Sequence, residues 1–115
     1  QEDNFMDFKR VKISINVPSE ATNKVRQALG EAGAGVIGEY SFCSFVIKGT
    51  GYSMPSDKAN PYKGTADQLE ASDEDRLEVI CDRDKVHAAI DAMKAVHPHE
   101  EVAFDIVPLL SREDI

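Results

Sequence analysis

Between positions 11 and 17 the apolar residues alternate without a break. Val11, Ile13, Ile15 and Val17 fall on one side, and Lys12, Ser14 and Asn16 fall on the other. A two-residue period is the signature of a half-buried strand. Pro18 and Ser19 then open a helix, with Ser19 as N-cap and Ala21, Val25, Ala28, Leu29 and Ala32 as the buried stripe. Gly33 and Gly35 end it. Positions 36–39 and 42–47 read as strand pieces, two parts of one strand bent near Gly38. A loop rich in Gly, Pro, Asn and Ser is predicted from Lys48 to about Ala66. Positions 76–81 read as a strand with Leu77, Val79 and Cys81 on one face. A second helix is predicted over 84–96, capped by Asp82 or Asp84, with Val86, Ala89, Ile90 and Met93 at i, i+3, i+4 and i+7. Positions 102–107 form the last predicted strand, with Val102, Phe104 and Ile106 facing one way. Pro108 marks the end of that strand or a sheet edge.

The order strand–helix–strand occurs twice. It predicts an α+β, ferredoxin-like βαββαβ sandwich, an antiparallel sheet with two helices on one face. Positions 42–47 are apolar in both registers, and Ile80 interrupts the alternation of Leu77, Val79 and Cys81. Such runs imply burial on both sheet faces. With helices for one face only, the other is expected to bury against a second subunit. Positions 1–7 read as a disordered acidic tail, and 8–115 as a single domain.

Composition narrows the classes. With 42% hydrophobic and 30% charged residues the chain is globular. A net charge of -8 repels phosphate backbones, so no nucleic acid partner is expected. The apolar runs are too short to span a membrane, no signal peptide is legible, and the chain begins at Gln1 without Met, as a processed or trimmed N-terminus would. Cys43 and Cys81 show no CxxC spacing and are expected as buried thiols, which favours the cytoplasm.

Ligand-type side chains crowd in one place, His97-Pro98-His99-Glu100-Glu101. Pro98 stops the second helix and pushes His97 to an extended backbone, so that His97 and His99 can face one side. Imidazole and carboxylate are ordinary ligands of zinc and copper, which makes these four residues a candidate metal site. The alternative is structural: a histidine caps the last carbonyls of the helix, and the two glutamates are solvated. In the long loop, Gly49-Thr50-Gly51 offers backbone N–H groups to an anion but lacks the phosphate-loop spacing, and glycines serving turns explain it as well.

Three motifs carry a family resemblance. They are Gly38-x-Tyr40-x-x-Cys43-Ser44-Phe45, then Gly49-Thr50-Gly51 through Pro55 to Ala59-Asn60-Pro61-Tyr62-x-Gly64, and His97-Pro98-x-Glu100-Glu101-x-Ala103-x-Asp105. With Leu69-Glu70 and Arg76-x-Glu78 they resemble, in order and over most of the chain, the YqfO-type domain. That domain is the PII/CutA-like module found in proteins of the Nif-three family. The resemblance implies a ferredoxin-like fold of the PII/CutA kind and a homo-oligomer, a trimer. It marks Tyr40, Cys43, Gly49, Gly51, Asn60, Pro61 and Gly64 as family-motif residues. The module reads as free-standing here, without the domain that carries the family's dinuclear metal centre, so a dinuclear hydrolase activity does not carry over. His99 stands where the family usually has Tyr, Val102 where it has Pro, Phe104 where it has Tyr, and Lys58 where it has Gly.

The function expected from these readings is a small oligomeric regulatory or sensor module binding a small ligand, a metal ion or a protein partner. The alternative is a CutA-like protein binding zinc or copper through His97 and His99. No catalytic residues are expected: His87 lies on a helix flank, and Cys43 has no evident base near it in the sequence.

Overall fold

The computed structural model describes residues 7–115. Of the predicted tail, only Asp7 falls among the described residues, where it is exposed; the rest lies outside them. The elements are β1 (Arg10–Pro18), α1 (Thr22–Glu31), β2 (Phe45–Ser53), β3 (Glu70–Asp82), α2 (Val86–Val96) and β4 (Phe104–Leu109). They form one antiparallel sheet in the order β2-β3-β1-β4. This is the ferredoxin-like order, with two strand–helix–strand halves interleaved.

The alternation read in β1 sets the core. Val11, Ile13 and Ile15 pair with Cys81, Val79 and Leu77 of β3, so the apolar sides of the two central strands share a face. Val25 and Leu29 of α1 and Val86, Ala89 and Met93 of α2 join them in a single buried cluster. One cluster holding both helices places both on that face. β4 pairs with β1 alone, so Pro108 lies on an edge strand, where its missing N–H costs no ladder bond.

Five expectations are corrected. Neither helix has a side-chain N-cap; each is entered through a 3-10 turn, Ser19–Ala21 and Arg83–Lys85. The Ser19 hydroxyl instead donates to Asp75. Positions 36–39 are not a strand but a tight turn closed by Ile37 and Tyr40. The chain resumes as β2 only at Phe45, and β2 then runs to Ser53 through the predicted loop. β3 begins six residues earlier than read, at Glu70 rather than Arg76. Glu70–Asp73 pair only with β2, so these strands extend past the sheet as a two-stranded arm. Finally, β4 starts at Phe104, after an irregular stretch from Pro98 to Ala103.

Candidate functional site

Pro98 does what the sequence implies. His97 ends α2 in an extended conformation, φ -75° and ψ 133°, with its N–H donating to the carbonyl of Met93. Its ring turns inward, 8% exposed. Nε2 lies 2.8 Å from the carbonyl oxygen of Asn16 in β1, and Nδ1 lies 3.0 Å from the backbone nitrogen of His99. A carbonyl can only accept and an N–H can only donate, so the ring is neutral with its proton on Nε2. Burial pushes the imidazole pKa down, the Asn16 carbonyl opposes that, and the neighbouring His99 adds to it.

The four residues of the candidate metal set make separate contacts in this arrangement. Both ring nitrogens of His97 are taken by backbone groups, leaving no lone pair for a cation. His99 turns toward Glu74, Nε2 to Oε2 3.7 Å. Glu100 accepts the Asn60 N–H at 2.9 Å, and Glu101 is exposed. Among the described residues no three His, Cys, Asp or Glu side chains stand together as a metal site. The His97 ring does not cap the last carbonyls of α2; it bonds to Asn16 of β1 and to the His99 N–H.

The residues that converge on His99 come instead from the arm and the loop that crowns it. Glu74, in β3 opposite Gly49, lies against the backbone of Gly51, where any Cβ would overlap its carboxylate. The two motif glycines are thus strand residues, and Gly51 is there for a close approach rather than for an anion. The loop 54–69 folds back toward the body. The Tyr62 hydroxyl donates to Glu20 Oε2 at 2.9 Å, and Lys63 Nζ reaches the same oxygen at 2.9 Å. The Lys63 ammonium foremost, with the Tyr62 hydroxyl and a backbone hydrogen bond, lowers the Glu20 pKa to about 2. A cleft of about 650 Å³ lies between arm and body, walled by Ser19, Glu20, Lys63, Asp73, Glu74 and His99. Sequence reasoning singled out His99, but not Glu20, Glu74 or Asp75. These acidic residues look like ordinary surface charges until the arm's pairing brings them together.

Asp75 is the buried charge of the molecule's waist, 1% exposed. It accepts from Thr22 Oγ1 at 2.6 Å, Ser19 Oγ at 3.0 Å and Lys48 Nζ at 3.3 Å. Burial alone would raise its pKa, and these three donors outweigh it and hold the carboxyl below its ordinary value. The cluster ties the start of α1 to the root of the arm.

A second feature is an exposed apolar stretch. Val36, Ile37, Tyr40, Phe42, Phe45, Val46 and Ile47 are all exposed in the single chain. Burial on both faces of β2, expected from the sequence, is therefore absent within the chain itself. Tyr40 sits at the turn, and Cys43 is half-buried rather than core, its N–H donating to the Gly35 carbonyl. Ile37, Cys43, Phe45, Val79 and Ile80, with the Lys12–Glu78 ion pair at 3.8 Å, line an open, mainly apolar cleft of about 280 Å³. Asn60, Pro61 and Gly64 lie in the exposed loop. No helix among the described residues is long and apolar enough to cross a membrane.

No family model matches the chain. Among curated proteins it is similar to a GTP cyclohydrolase 1 type 2 homolog of Bacillus subtilis, 47% identical over 98 residues, or 85% of this chain and 26% of that protein. The homolog of Mycobacterium leprae is 47% identical over 96 residues, 84% of this chain and 25% of that protein. The chain thus spans about a quarter of the length of the curated relatives it matches. Among solved structures, a Bacillus cereus protein related to NIF3 aligns at a TM-score of 0.78 and 39% identity, over 90% of this chain and 26% of that one. The periplasmic divalent cation tolerance protein CutA of Archaeoglobus fulgidus aligns at 0.65, over 90% of this chain and 89% of that one, and at 18% identity shows the fold alone. The long partial match and the shared fold lead to one conclusion: over most of its length the chain is similar to one stretch of NIF3-related proteins, and it has the fold of CutA.

Proposed function

We propose that the chain is a regulatory, ligand-responsive module that works as a homo-oligomer, a trimer, in the cytoplasm and without catalysis of its own. The observation that carries this reading is the exposed apolar stretch from Val36 to Ile47. Phe45 and Ile47, opposite Glu78 and Arg76 on the sheet face away from the core, make with the apolar cleft beside Phe45 an exposed patch of the kind that marks an interface. A second copy is the proposed cover, since closed symmetric assembly removes both the patch and the open β2 edge.

The ligand site of this reading is the cleft between the arm and the start of α1. It is lined by hydroxyl, carboxylate, ammonium and imidazole groups, and therefore suits a small polar molecule. The Cys43 thiol finds its acceptor in the Ser41 carbonyl at 3.9 Å, which supplies no general base. The activity named for the curated relatives belongs to much longer proteins and is not assigned to this stretch. Both cysteines are free thiols, in keeping with a reducing compartment. The reading is tested by screening small polar metabolites for a rise in melting temperature, repeated on Glu74→Ala. A ligand that stabilises wild type and not the variant supports it. Equal shifts in both proteins, or no stabilising compound, would remove the cleft from the account.

A further inference from the structure

Loop 54–69 caps the arm, yet its middle is fastened to the body. Asn60 N–H donates to Glu100, while Tyr62 O–H and Lys63 Nζ both reach Glu20. The fastenings end on just two carboxylates, one in the turn before α1 and one in the stretch before β4. Tyr62 stands with its ring 6.2 Å from that of His99, and Lys63 forms part of the cleft wall. None of the loop residues is buried. Contacts of this kind hold weakly, because exposed ion pairs and hydrogen bonds compete with water. The loop also carries bonds of its own: Asp67 N–H to the Pro55 carbonyl, Ala59 N–H to Ser56, and Gln68 N–H to Thr65. These leave its shape independent of the body.

We propose that loop 54–69 is a strap, latched by Glu20 and Glu100, which swings off the cleft as a unit and exposes His99 while the module stays folded. No apolar surface has to leave a core for this to happen, so opening belongs to the low-energy end of the molecule's motions. The inference concerns access to the cleft that the preceding section reads as the ligand site. It is measured without any ligand, so failure of one leaves the other standing.

The probe is diethyl pyrocarbonate, which acylates neutral imidazole, used at about pH 8, above the ordinary imidazole range, and read per residue by mass spectrometry. The three histidines supply their own controls. His87 is exposed on α2, His97 is buried, and the His99 side chain is 26% exposed. In the Glu20→Ala/Glu100→Ala double variant, His99 should react about fivefold faster, with His87 and His97 unchanged. In wild type the His99 rate should rise with added salt, and in the variant it should not. A variant rate equal to wild type would overturn the strap. So would acceleration of His97 alongside His99, because that reports loosening of the whole module.

Discussion

His97 and Asn16 are joined by a 2.8 Å hydrogen bond from the imidazole Nε2–H to the backbone carbonyl, which ties the end of α2 to β1 beyond the last residue that β1 pairs in register with β4. The same stretch of β1 continues through Asn16 N–H to the Ala103 carbonyl. His97 therefore closes the sheet at the point where the chain returns from helix to strand. Its replacement by Ala should cost about 1–3 kcal/mol, because two part-buried backbone groups lose their partner. Urea denaturation measures this, and a metal titration should give the same response for wild type and variant.

His97 also makes stability depend on pH. Its folded pKa is lowered from the ordinary 6.5, so below that value the unfolded chain binds a proton that the folded chain refuses. Stability then rises with pH through this window and levels off above about 6.5. Melting temperature followed from pH 5 to 8 should climb and flatten in wild type. In His97→Ala the climb should shrink; an unchanged profile would place the titration elsewhere.

Glu20 works in the opposite range. With its pKa lowered from 4.5 to about 2, its contribution is present above about 4.5 and is lost as pH falls toward about 2. Carboxylate titration by NMR should find Glu20 well below the other glutamates, and Lys63→Ala should bring it back up. A Glu20 titration near the ordinary glutamate value in wild type would mean that the loop does not rest on it.

Gly30 provides a test in which two principles disagree in sign. It lies in the last turn of α1, where Ala would gain about 1 kcal/mol of helix propensity. A Cβ there would fall inside the ring of Phe42, which is held in a left-handed conformation at φ 59°. Overpacking of this kind costs about 1–3 kcal/mol. Gly30→Ala should therefore lower the denaturation midpoint. A higher midpoint would show that the Phe42 ring yields freely.

The central layers were legible because burial and period coincide there: Val11, Ile13 and Ile15 alternate, and Val25, Leu29, Val86, Ala89 and Met93 recur at helical spacing. The arm was not. Lys48-Gly49-Thr50-Gly51 and Glu70-Ala71-Ser72-Asp73-Glu74 carry loop-like composition, and they form strands through pairing with each other rather than through an apolar face. Missing the arm hid the cleft, since Glu74 and Asp75 take their neighbours from it. The His97 motif was found for its ligand chemistry, but its role turned on Asn16, 81 positions away, which no local pattern connects to it.

The apolar stretch around Phe45 carries the account of assembly. Size-exclusion chromatography with light scattering measures it most directly, on wild type and on Phe45→Glu from low to high micromolar concentration. The account predicts a trimer mass for wild type and a smaller, still folded species for the variant, since Phe45 is 66% exposed in the single chain. A wild-type mass of 12.7 kDa across the whole range would contradict it.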